Sequence, residues 1–220
     1  SPNNPSGVVY SRETLEKISG CLTARSREVG HTVYLISDEP YRELVYGGRE
    51  VPYLPAIYRE TVICYSYSKS YSLPGDRIGY VLVPPSCDHA AALLRAVAGA
   101  ARTLGHVCAP SLMQHVIGAV PDAAPDLAFY DRNRQTLLRG LCDLGYEPVP
   151  PDGAFYLLLR APGGDAAAFS DEAKREGLLV VPCDGFGLSG YLRLAYCVAP
   201  GVIDRALVQF SSIRSRICNS

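Results

Sequence analysis

Apolar positions at near-helical spacing mark the first element: Leu15, Ile18, Leu22 and Val29 recur over residues 12–29, and Ser11 precedes Arg12-Glu13-Thr14 as a helix cap. Residues 32–37 (TVYLIS) form a β-branched and aromatic run that ends at Asp38-Glu39-Pro40, where the proline forbids a continuing central strand. Residues 61–66 (TVICYS) and 78–83 (IGYVLV) are continuous apolar runs bounded by turn residues, a pattern suited to strands covered on both faces. With a further helix over 87–102, the alternation predicts an α/β arrangement around a mostly parallel sheet.

The second half has another rhythm. Residues 109–120 and 126–144 read as helices, the latter amphipathic through Leu127, Tyr130, Leu137, Leu138 and Leu141. A Pro-rich turn (148–152), a strand (154–160), a helix (165–176), two strands (178–181 and 191–195) and a last helix (200–216) follow in α+β style. Pro121 and Pro125 bracket a break, which predicts a first domain over 1–124 and a second over 125–220.

Composition narrows the function. The chain of 220 residues is 48% hydrophobic and 20% charged, the profile of a soluble globular protein. With 21 Lys+Arg against 22 Asp+Glu there is no positive surplus for nucleic acid or an acidic membrane surface. The longest apolar stretch, 90–101, is broken by Arg95 and is too short to span a bilayer. Eight cysteines lie far apart, most in apolar contexts, and are expected to be reduced, buried residues of a cytoplasmic protein. None of the four histidines has a partner at ligand spacing, so no metal site is expected. Met113 is the single methionine, and the chain opens inside a Pro/Asn-rich turn without a signal peptide. Such a start is expected of a proteolytic or cloned fragment.

In α/β sheets ligands sit beyond the carboxyl ends of strands, so the residues after each apolar run carry the chemistry. Those residues are Asp38-Glu39-Pro40-Tyr41 and Ser66-Tyr67-Ser68-Lys69, while Asn3-Asn4-Pro5-Ser6-Gly7 looks like the tail of a further strand. Lys69 stands at the edge of an apolar strand, where desolvation favours the neutral amine that attacks carbonyls. Arg77, in the turn Pro74-Gly75-Asp76-Arg77, offers a forked cation which, with serine hydroxyls, suits a phosphate monoester. Asp38 offers a carboxylate, expected to be buried, for a protonated ring nitrogen. Lysine, phosphate cradle and aspartate together describe a pyridoxal 5'-phosphate site.

These segments resemble the signature of the class I/II, fold-type I aminotransferases: Ser1-Pro2-Asn3-Asn4-Pro5-Ser6-Gly7, Asp38-Glu39-Pro40-Tyr41, and Ser66-x-Ser68-Lys69 followed by Arg77-x-Gly79. Pro151-Asp152-Gly153-Ala154-Phe155-Tyr156 and Tyr191-Leu192-Arg193-Leu194-Ala195 are similar to two segments by which that family's small domain closes on substrate. Five motifs in one order make coincidence improbable. The resemblance implies part of the family's large pyridoxal phosphate-binding domain, with helices on both faces of its sheet, followed by a C-terminal α+β small domain.

By the same resemblance, Lys69 forms the Schiff base with the cofactor aldehyde and later moves a proton. Asp38 keeps the pyridine nitrogen protonated, and Tyr41 and Asn4 bond the ring's phenolic oxygen. Ser66, Ser68 and Arg77 bind the phosphate, while Arg193 takes the substrate α-carboxylate, with Asn4 beside it on the substrate side. Gly185-Phe186-Gly187 is a candidate closing loop.

The resemblance further implies an amino acid and a 2-oxo acid as substrates and a homodimer. The family's N-terminal arm, first sheet strands and Gly-rich phosphate turn have no counterpart here. The isolated chain is therefore expected to bind cofactor weakly and to be inactive. A C–S β-lyase on the same fold, or the aminotransferase-like sensor domain of a transcriptional regulator, are the alternative readings.

Overall fold

The computed structural model describes residues 1–218, with side chains through residue 216. It divides into two compact units. The first comprises Ser1, Tyr10–Glu43 and Glu50–Pro125; the second comprises Pro2–Val9, Leu44–Arg49 and the described residues from Asp126 onward. Pro2–Val9 and Leu44–Arg49 thus pack in the second unit, whereas the expected division put all of 1–124 in the first domain. The reason is backbone pairing. Val45 bridges Gly153, Ala154 N–H donates to Leu44 O at 2.7 Å, and Gly7 O accepts from both Asp152 N–H and Gly153 N–H.

In the first unit, helix α1 (Arg12–Val29) starts where the Ser11 side chain accepts from Thr14 N–H and stops at Gly30, whose φ of +72° is left-handed. Strand β1 (Leu35–Asp38) runs parallel to β2 (Thr61–Ser66), with Asp38 opposite Cys64. A helical turn α2 (Tyr67–Ser70) leaves β2 directly, and β3 (Gly79–Leu82) returns antiparallel, with Ser66 opposite Gly79. The expected parallel preference fails at β3: the connection from Ser66 to Gly79 holds only the single turn α2 and turns the chain back beside β2 in the opposite direction.

Tyr65 and Tyr80 face each other across this pair, with ring centroids 5.0 Å apart and planes inclined by 22°. Gly79 is required at its position because a Cβ there would meet the Tyr65 carbonyl oxygen. Strand β2 is mostly buried, as expected, but β3 is exposed throughout, both of its faces being left open among the described residues. Helices α3 (Ala90–Thr103) and α4 (Ser111–Ala119) follow, and neither buries a residue.

The second unit is an antiparallel sheet with helices packed against it. Helix α5 (Leu127–Asp143) precedes β4 (Pro148–Val149), where only a turn was expected, and β5 (Tyr156–Arg160). Helix α6 (Ala166–Arg175), β6 (Val181–Pro182), β7 (Tyr191–Ala195) and α7 (Pro200–Cys218) complete it in the strand order β4-β5-β7-β6. Leu157, Leu159 and Leu192 from the sheet and Leu141, Phe210 and Ile213 from the helices are fully buried. At about 25 cal/mol for each Å² of apolar surface removed from water, this cluster is the main source of the unit's stability.

The cysteines depart from expectation. Cys87 and Cys183 are buried and Cys64 is half-buried, but Cys21, Cys108, Cys142 and Cys197 are exposed. Cys21 and Cys142 sit on the solvent sides of amphipathic helices, where apolar sequence neighbours are not spatial ones. Cys218 falls outside the described side chains. No described helix is long and apolar enough to cross a membrane.

Candidate active site

In the first unit, five predicted residues share one end of the sheet. Asp38 closes β1, Ser66 closes β2, Ser68 and Lys69 lie on α2, and Arg77 stands two residues before β3, which begins at that end because it runs antiparallel. Ser66 is extended (φ −139°, ψ 134°) and caps α2, its Oγ accepting from Ser68 N–H at 3.2 Å and donating to Ser68 Oγ at 2.7 Å. Ser70, next to Lys69, is buried and shares a 2.8 Å hydroxyl–hydroxyl bond with Tyr65, so α2 is tied back to the strand it leaves. Lys69 itself is half-buried.

Strand alternation sorts the acidic motif. Ser37 and Glu39 point inward and Asp38 outward. Glu39 is 2% exposed, accepting from Ser37 Oγ and Arg42 Nη1, both at 2.8 Å. It is a satisfied structural carboxylate. Asp38 was expected to be buried, but it is exposed, because it lies on the same face of β1 as Ile36, itself 70% exposed, and that face is left open among the described residues. Burial pushes the neighbouring Cys64 thiol up, and the negative charge of Asp38 adds to that. Arg77 is exposed, with φ +53° and Nη1 donating to Pro74 O at 3.0 Å. Tyr41 is buried.

In the second unit, Asn4 and Arg193 meet. Residues 2–9 form a tight loop in which Gly7 N–H donates to Asn3 O at 2.7 Å and Ser6 Oγ donates to Asn3 Oδ1 at 2.8 Å. Asp152 fastens this loop by accepting from Val9 N–H at 3.2 Å, and also pairs with Arg49 at 2.8 Å. Asn4, carried on the loop, accepts from Arg193 Nη1 at 3.0 Å. The Arg193 guanidinium further packs on the rings of Tyr156, 4.6 Å from its centroid, and Phe186, 4.9 Å away. Phe186 sits on a single turn (Asp184–Phe186) that Gly187 ends with φ +73°.

The sequence marks Tyr156 only as part of the segment 151–156 and Phe186 only as part of a loop, and pairs neither with Arg193. The available signal was an aromatic residue between two glycines shortly before an arginine in an apolar strand.

The donor set in the first unit fits pyridoxal phosphate. Two hydroxyls and a guanidinium suit its phosphate, a carboxylate suits its ring nitrogen, and an amine suits its aldehyde. Among the described residues, no three His, Cys, Asp or Glu side chains are grouped to hold a metal ion.

The model of the family described as aminotransferase class I and II matches residues 1–210. The chain belongs to this family. Aminotransferase relatives include the aspartate/prephenate aminotransferase of Thermus thermophilus, 30% identical over 98% of this chain and 55% of that protein. The arginine–pyruvate transaminase of Pseudomonas aeruginosa is 31% identical over 88% of this chain and 49% of that one. Among solved aminotransferase structures, one from Eubacterium rectale superposes with a TM-score of 0.94 at 49% identity, covering 98% of this chain and 54% of the other. A Thermus thermophilus aspartate aminotransferase variant gives 0.78 at 28% identity, covering 97% of this chain and 58% of the other. The fold is therefore the fold-type I, α/β fold of these aminotransferases. The chain spans about half the length of the curated relatives it matches.

Proposed function

We propose that this aminotransferase-family chain serves amino-group transfer between an L-amino acid and a 2-oxo acid, with pyridoxal 5'-phosphate as cofactor. The observation that carries the reading is the strand end at which Lys69 stands between capped serines, with Asp38 on the adjoining strand. When bound, pyridoxal phosphate supplies an aldehyde for amines and a ring that accepts an electron pair.

The residues of this chain have separate tasks. Ser66, Ser68 and Arg77 hold the phosphate through hydroxyl and charge-assisted bonds. Asp38 holds a proton on the ring nitrogen. Tyr41 and Asn4 donate to the ring oxygen. Lys69 offers its amine to the aldehyde and afterwards holds and returns a proton at Nζ. The two pinned oxygens of a substrate carboxylate go to Arg193, whose fork suits them better than a point charge. A homodimer and a cytoplasmic setting belong to the same proposal, as does the lack of turnover expected of this chain alone.

The test is borohydride reduction of the protein saturated with pyridoxal phosphate, followed by peptide mapping. The label is expected on Lys69 and lost in Lys69→Ala; a label elsewhere, or none, overturns the assignment. For the full-length protein, since no turnover is expected of this chain alone, transfer from glutamate or aspartate to a 2-oxo acid separates the reading from a β-lyase, which would release pyruvate from cystathionine.

A further inference from the structure

Arg193 is held more elaborately than an ion-pairing residue requires. It lies in β7, with Val181 and Leu158 as its strand neighbours, and its Nη1 donates to a neutral acceptor, Asn4 Oδ1, at 3.0 Å. Two aromatic rings then pack on the same guanidinium, at 4.6 Å for Tyr156 and 4.9 Å for Phe186. A guanidinium carries five N–H donors in a rigid plane, so an acceptor on one edge and rings on its surface fix that plane and leave donors for a second acceptor.

The two rings are not equivalent. Tyr156 is in β5, paired through its backbone with Ala195, and its position is set by the sheet. Phe186, between Gly185 and Gly187 at the end of a one-turn helix, is 46% exposed and is not one of the buried residues of the unit's core. A single exposed apolar side chain is ordinary on a protein surface; what sets Phe186 apart is that its ring packs on a guanidinium.

We propose that Phe186 is a positioning residue for Arg193, holding the guanidinium in the orientation that receives a substrate carboxylate, so that it sets affinity for carboxylate-bearing substrates without touching the reacting atoms. This rests on the carboxylate role given to Arg193 above. It predicts that the Asp184–Phe186 turn contributes to recognition of the acid group common to amino acids and 2-oxo acids, and does not read the side chain that distinguishes one substrate from another.

The experiment uses the full chain without cofactor, labelled with ¹⁵N and followed at the Arg193 Nε–H resonance, which Arg193→Lys identifies by its loss. The probe is 2-oxoglutarate, with butylamine as a ligand lacking a carboxylate. In the unaltered protein the Nε–H proton is expected to be shifted upfield by the ring currents and to respond to 2-oxoglutarate alone. Phe186→Leu is expected to remove most of Phe186's part of that upfield shift and to raise the Kd for 2-oxoglutarate about three- to tenfold, and Phe186→Tyr to restore both.

A resonance that moves in Phe186→Leu with Kd unchanged overturns the proposal, as does a change of Kd that Phe186→Tyr fails to reverse. Spectrum-wide changes in Phe186→Leu also count against it, since the ring would then serve the fold. If Arg193→Lys binds 2-oxoglutarate as tightly as the unaltered protein, the carboxylate role of Arg193 fails instead, and the two failures are thereby told apart.

Discussion

Ser66 donates from Oγ to Ser68 Oγ at 2.7 Å and accepts the Ser68 N–H in return at 3.2 Å. The pair closes the corner between strand β2 and the turn that carries Lys69, so a single hydroxyl serves both the backbone of this corner and the proposed phosphate. The strand end, and not the lysine alone, is the structural unit of the site.

Ser66→Ala is expected to cost about 1 kcal/mol of stability through the lost cap. It should also weaken pyridoxal phosphate binding about tenfold, the size of one hydrogen bond to a charged group. Urea unfolding and a visible-absorbance titration with the cofactor read the two effects separately.

Asn133 is 3% exposed and donates from Nδ2 to Tyr196 O at 2.9 Å and to Val198 O at 2.7 Å, tying α5 to the segment after β7. Asn133→Leu leaves two carbonyls without this donor and is expected to lower unfolding free energy by about 2 kcal/mol. Asn133→Asp sets a carboxylate against those carbonyls and should cost more. Chemical denaturation of the two variants side by side checks the order.

Phe210 is 1% exposed and lies among Tyr146, at 5.3 Å between centroids, and Phe169, at 6.3 Å. Phe210→Ala should destabilise by about 3–5 kcal/mol, because the cavity cannot fully collapse between those rings. Val208, on the same helix and 70% exposed, should tolerate alanine within about 0.5 kcal/mol. A denaturation midpoint equal for both variants would contradict this account of the core.

Burial pushes the Tyr46 hydroxyl up from 10.0 to about 12, against the opposing effects of the Tyr196 bond and the Arg134 charge. Burial raises Tyr196 as well. Tyr46 donates to Ala154 O at 2.6 Å and Tyr196 donates to it at 3.0 Å, so both bonds require the protonated form. Between pH 10 and about 12 the unfolded chain releases the Tyr46 proton while the folded one keeps it. The unfolded state then binds fewer protons, and stability falls as pH rises through that window, having been fully present below it. Thermal unfolding from pH 8 upward is expected to show this decline. Tyr46→Phe should be less stable at neutral pH and lose less on going alkaline.

Much of the architecture follows from local pattern. The extents of α1, β2 and β7 match the apolar periodicity residue for residue, because each is ended by its own neighbours: a left-handed glycine after α1, the Ser66 corner after β2. The antiparallel run of β3 and the exposure of four cysteines needed the chain in three dimensions, since strand direction depends on the path of the connection and exposure on what packs against each side chain.

What the sequence determined by itself is the chemical kit: an amine after an apolar run, serines beside it, a carboxylate at the neighbouring run's end, and an arginine in a late strand. Those identities are fixed by covalent order and by strand periodicity, which send them to strand ends. What only the tertiary structure decided is partnership. Glu39, not Asp38, takes the buried place beside Arg42; Asn4 reaches Arg193 from 189 residues away; and Phe186 lies on the guanidinium it precedes. Such pairings depend on loop closure and packing between segments distant along the chain, and no local pattern of apolar and polar positions encodes them.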